Sequence, residues 1–157
     1  MSAAIIAAVG VAVALLTFIK AVVEYAGQNR QKRAEHFMEM RQRFKGNQSF
    51  SKISALLEPS GQAPCNPELE KVPYFEKRDF LGFFQELAIQ MNSRLIPKEV
   101  VHYMFGYYVL RCCDCEYFWK GVNRKSPHWK LFTDFAQDMR SLENRLPQLD
   151  TRKKLCF

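Results

Sequence analysis

The chain has 157 residues, which leaves room for one small domain beside any membrane segment. Thirteen Phe, six Tyr, two Trp and six Met supply bulk for a core and exclude a disordered chain. A formal charge of +7 and a pI near 9.3 point to an anionic partner: nucleic acid, nucleotide or lipid headgroup.

The first element is apolar. Ala3 to Ile19 runs without a break except for Thr17, and Ala21, Val22 and Val23 follow Lys20. At about 1.5 Å per residue, Ala3 to Val23 covers roughly 30 Å, one hydrocarbon thickness. Lys20 lies near enough to the end to reach the headgroups. A cleaved signal peptide is the rival, but Met1 and Ser2 offer no positive leading region. Basic residues come only afterwards, at Arg30, Lys32, Arg33, Arg41, Arg43 and Lys45. They predict an N-terminus outside, with the remainder in the cytoplasm, and the juxtamembrane Arg30, Lys32 and Arg33 are expected to touch anionic membrane lipid. Ala3, Ala7, Gly10 and Ala14 share one face, a spacing that favours close helix–helix approach and a homo-oligomer.

The predicted organisation is all-α: an anchor (1–24), a helical stalk (25–45), a short helix with a Pro-rich linker (46–73), and a cytoplasmic helical bundle (74–157). In the stalk, Ala34, Phe37, Met40, Arg41 and Phe44 recur at helical spacing until Gly46-Asn47. A short helix from about Ser49 to Leu57 follows. Pro59, Gly61, Pro64, Pro67 and Pro73 then mark a connection long enough to be mobile. Three helices are expected beyond it. The first, from Pro73 to Ser93, buries Phe80, Leu81, Phe84, Leu87, Ala88 and Met91. The second runs from Pro97 to Lys120, burying Val101, Met104, Phe105, Tyr108, Cys112, Cys115 and Trp119. The third, capped by Ser126 and Pro127, runs to Leu146, with Leu131, Phe132, Phe135 and Met139 inward.

No glycine-rich phosphate loop, Gly-x-Ser-x-Gly or His-Glu-x-x-His occurs, so no enzyme is expected. His102 and Cys112 stand ten residues apart on one helix, about 15 Å along its axis, too far to act together. Cys112, Cys113 and Cys115 lie too close on one helix to pair among themselves, which reads as reduced thiols in a reducing compartment. Closed zinc sites need four ligands and no second cluster supplies them, so neither metal nor cofactor is expected.

The candidate site is Gly121 to Lys130, where Arg124, Lys125, Lys130 and His128 gather at the start of a helix. Helix starts favour acids, so accumulated bases there suit a visiting anion. Arg124, Lys125 and Lys130 would meet phosphate while Trp129 stacks on a base; the alternative is a solvated basic loop with Trp129 in the core. Tyr103, Tyr107, Arg111 and Asp114 form a polar-aromatic face suited to a ligand or a partner subunit, with Arg111 the outlying candidate.

Phe83-Phe84-Gln85-Glu86-Leu87-Ala88, Ile96-Pro97-Lys98-Glu99-Val100-Val101 and Phe105-Gly106 come in succession, with Trp129-Lys130-Leu131-Phe132 further on. This stretch, about residues 79 to 139, resembles a recurring bacterial helical domain of unknown function carried behind one membrane helix. In layout and size the chain also resembles membrane-anchored ancillary effectors of type III CRISPR systems. That resemblance implies a homo-oligomer in the bacterial inner membrane that binds cyclic oligoadenylate through a basic cytoplasmic surface and disturbs the membrane.

Overall fold

In the computed structural model, residues 3–59 and 65–145 are described, with side chains from Gly10 onward. All their regular structure is helical, as expected, and among them no strand occurs. The first helix, α1, runs unbroken from Ala3 to Gly46. The chain divides into two units between Phe37 and Met38.

In the first unit α1 is long and apolar enough to cross a membrane, and none of its most apolar window is buried within the protein. Val11, Leu15, Phe18, Ile19, Val22 and Val23 are all exposed. A helix apolar on every side has no stable place in water. The Thr17 hydroxyl donates to the Val13 carbonyl at 2.8 Å, so the one polar side chain of the run is satisfied within the helix. Ala3 and Ala7 of the expected small-residue face lie outside the described side chains.

The second unit begins with the last turns of α1, where Met40 and Phe44 are buried. The Asn47 side chain accepts from the Phe50 N–H at 3.2 Å and starts α2 (Gln48–Leu56), which buries Phe50 and Ile53. The Pro-rich connection is more ordered than expected from its composition. Asn66 caps a 3₁₀ turn (Pro67–Lys71), and Cys65, Leu69 and Val72 are buried, so this part packs as core; 60–64 lie outside the described residues. Then comes α3 (Tyr74–Asn92), whose Phe80, Leu81, Phe84, Leu87 and Ala88 are buried as the periodicity predicts.

The second expected helix is not continuous. It divides into α4 (Lys98–Val101), a π turn (His102–Gly106) and α5 (Tyr107–Asp114), then breaks at Cys115 before α6 (Glu116–Trp119). At the π turn the His102 ring lies against Gly106, where a Cβ would stand only 3.0 Å from it. The break at Cys115 has an evident cause: its backbone is extended (φ −82°, ψ 106°) and its sulfur is bonded to Cys65. This corrects the reading of wholly reduced thiols, which weighed only neighbours in sequence. The bonded partner lies 50 residues away, so the cysteines no longer argue for a reducing compartment. Gly121 sits at φ +80°, a conformation that suits glycine. A 3₁₀ turn (Pro127–Trp129) then leads into α7 (Lys130–Glu143), which packs on α3, α5 and the π turn. The expected end of that helix, Leu146, lies outside the described residues.

One charge is buried in this core. Lys77 is 1% exposed and donates to the Lys120 carbonyl at 2.8 Å, which satisfies the end of α6. Desolvation holds its ammonium below the ordinary lysine value, against the pull of Glu70 and Cys112.

Two outcomes follow for stability. Phe44→Ala should destabilise the domain by about 3–5 kcal/mol, read by denaturant unfolding of the full chain in detergent, because no neighbour can fill the space. Cys65→Ser should lower stability by about 4 kcal/mol on the chain-entropy account of a loop this long. Reductant should bring the unmutated protein down to the same Tm, and an unchanged Tm under reductant would refute the bond.

Candidate functional site

The basic segment after α6 does not close into one pocket. Arg124 folds back: its guanidinium lies 5.3 Å from the Trp119 ring centre, and Nη2 reaches the Cys113 sulfur at 3.4 Å. Lys125 is exposed, its backbone N–H bonded to the Asn123 side chain at 3.2 Å. Lys130 is committed to Asp134, one turn on, at 2.7 Å. Trp129 is 7% exposed and packs as core, while it also contributes to the lining of the His128 cleft. Ser126 caps the turn as expected, accepting from the His128 N–H.

His128 is exposed and borders a cleft of about 490 Å³ together with Arg43, Arg78 and Gln85. The Gln85 side chain donates to the His128 carbonyl at 2.6 Å and ties the segment to α3. Both arginines there are neutralised, Arg43 by Glu86 and Arg78 by Asp79. An anion entering this cleft would have to displace a carboxylate first.

On α5, Arg111 lies 5.7 Å from the Tyr107 ring, while the Tyr107 hydroxyl donates to Glu58 at 2.7 Å. That acceptor carboxylate pushes the phenol above its ordinary range. Asp114 pairs with Arg140 of α7 at 2.6 Å. Tyr103 stands apart, 72% exposed.

A larger cleft, about 590 Å³, opens where the end of α3, the start of α4 and the end of α7 meet. Arg94, Lys98 and Arg145 line it over buried Ile96 and Leu142, with Asp138 as its one acid. Sequence reasoning passed over these residues because they come from three separate elements. The one signal was Asn92-Ser93-Arg94 ahead of Pro97, which marks a tight helix stop.

Among the described residues, no group of three or more His, Cys, Asp or Glu is placed to hold a metal ion. Among the described residues the remaining thiols are Cys112, pushed well above its ordinary value by burial, and Cys113, half-buried beside Arg124. Comparison with known proteins finds no matching family model, no similar curated protein and no similar solved structure. The resemblances noted above therefore rest on their motifs and layout alone.

His102 gives a pH signature. It is buried, and its Nε2 has no hydrogen-bond partner. Burial holds the imidazole below its ordinary value of 6.5, while Glu143 opposes that effect. The unfolded chain therefore takes up the proton first as pH falls. Stability should be full above pH 6.5 and decline below it, by no more than about 1.4 kcal/mol per pH unit. Chemical unfolding at pH 7.5, 6.0 and 5.0 checks this, and His102→Gln should flatten the profile.

Proposed function

We propose that the chain is a single-pass protein of the bacterial inner membrane whose basic helical domain lies in the cytoplasm. There it binds an anionic cyclic oligonucleotide without performing chemistry on it. As a homo-oligomer it would act on the membrane in antiviral defence of the type III CRISPR kind. The observation that carries this reading is the continuity of α1. One helix contains both the membrane-length apolar stretch and, at Met40 and Phe44, core residues of the domain. A ligand that favours one arrangement of neighbouring domains would thereby bias the helices that leave them. Exposed Arg124 and Lys125, unpaired with any carboxylate among the described residues, add to the anion-attracting surface.

Orientation rests on the bases that follow the apolar run. A disulfide such as Cys65–Cys115 is unusual in a reducing cytoplasm, so topology belongs to the test. Exposed Tyr103 with Tyr107 and Arg111 favours a second reading, a membrane-tethered scaffold that recruits a protein partner and takes no small ligand.

Full-length protein in lipid nanodiscs should bind a cyclic oligoadenylate of some ring size, and the affinity should fall with added salt. A C-terminal fluorescent fusion should be bright in cells and a C-terminal alkaline phosphatase fusion inactive. No binding at any ring size would leave the scaffold. An active phosphatase fusion would put the domain outside and sink the cytoplasmic sensor.

A further inference from the structure

The 590 Å³ cleft at the end of α3 gathers three cations, Arg94, Lys98 and Arg145, on one lining. Six cations of the domain are met by carboxylates, Arg43 by Glu86, Lys71 by Glu68, Arg78 by Asp79, Lys120 by Glu70, Lys130 by Asp134 and Arg140 by Asp114, while Arg124 and Lys125 line neither of the two clefts described above. Around this cleft the described residues give Arg94, Lys98 and Arg145 no ion pair. The only bond found for them beyond the regular structure and its caps is from the Arg145 Nε–H to the Ser141 carbonyl, at 3.2 Å. Among the described residues of the lining Asp138 is the single acid, which leaves them a formal excess of two positive charges (three minus one).

Arg94 makes the arrangement more specific. The Leu95 N–H bonds to the Gln90 carbonyl and the Arg94 N–H to that of Met91, both at 3.0 Å. This pair of bonds closes α3 in a Schellman turn and forces Arg94 into the left-handed region at φ 57°. Glycine holds that position at less cost than any side-chain-bearing residue. Here the turn places Arg94 on the lining of the cleft, together with Lys98 and Arg145.

We infer that this cleft is a binding site for a phosphate-bearing ligand of nucleotide size. The two guanidiniums match phosphate oxygens in pairs, Lys98 adds a point charge, and the Asn92 and Ser141 side chains supply further polar groups. The apolar floor of Ile96 and Leu142 suits the uncharged part of such a molecule. A free nucleotide and a phospholipid headgroup share this chemistry. The inference takes from the proposed function only its expectation of an anionic ligand.

Full-length protein in phosphatidylcholine nanodiscs is titrated with inorganic pyrophosphate and with cyclic oligoadenylates by calorimetry. Pyrophosphate should bind at low salt, and Lys98→Glu and Arg145→Glu should each weaken it at least tenfold. Arg94→Gly should weaken it similarly while raising Tm, since it removes the strained residue and leaves the fold intact. If the source is a headgroup, discs containing phosphatidylglycerol should compete with pyrophosphate, and less so in the variants. Absence of pyrophosphate binding, or equal binding by all three variants, overturns the cleft. Cyclic oligoadenylate binding that survives all three variants overturns the cleft but leaves the proposed function standing. Cleft-dependent pyrophosphate binding with no cyclic oligonucleotide bound supports the cleft and removes that function.

Discussion

Phe44, near the end of α1, has the rings of Phe50, Phe80, Phe83, Phe84, Phe105 and Tyr108 within 6.0 Å between centres. Those rings come from α2, α3, the π turn and α5, so one side chain joins the start of the domain to its middle. The pairs meet tilted or edge-on, the geometry in which an aromatic quadrupole gains beyond the area it buries. Building the centre from phenylalanine has a second consequence. A close-packed aromatic core has no room for polar groups, which pushes nearly all the positive charge to the rim. Lys77 is the exception, admitted because the Lys120 carbonyl needs a donor.

The segment after α4 shows how local irregularities serve that core. A regular helix from Pro97 to Lys120 would carry one face steadily around the axis. The π turn at His102 to Gly106 shifts the phase of the helix, so that Phe105 on one side of the shift and Val109 and Cys112 on the other are all buried. Gly106 makes the shift possible by leaving space for the imidazole. The disulfide then stops the helix at Cys115 and holds Cys65 down, and Asn66 follows directly as the cap of the next turn. What reads as a loose proline-rich connection is thereby fixed at the end where it enters the core.

How much of this was legible depends on the range of the interaction. Amphipathic repeats report burial turn by turn, and α3 and α7 were readable from Phe80, Leu87, Phe132 and Met139 because each helix faces one core. Ser126-Pro127 worked for the same reason, since a cap bonds within three residues. The Cys65–Cys115 bond spans 50 residues, and no spacing rule encodes such a pair. Asn66-Pro67 looked like loop because proline marks both a disordered connection and the first position of a turn. In the candidate loop, too, closeness in sequence does not give a common direction. Arg124, Lys125, His128 and Lys130 are adjacent in sequence, but Lys130 turns to Asp134 and Arg124 to Trp119, so they do not face one point.

That contrast bears on where a net charge of +7 can do work. A cation bridged to a carboxylate one turn away presents little field beyond its neighbour, and an anion must break the bridge to use it. Cations that outnumber the acids of their cleft and form no ion pair keep more of their field for whatever enters. Arg94, Lys98 and Arg145 are brought to one cleft by three different elements, so their mutual repulsion is built into the packing of α3, α4 and α7. The domain carries that repulsion, together with the strain at Arg94, in a region where a glycine and an acidic side chain would relieve both. A multiply charged anion relieves the repulsion instead, and its binding would draw the ends of these three elements together. Such a ligand stabilises the arrangement that the empty domain holds at a cost, which is what a receptor needs in order to respond to it.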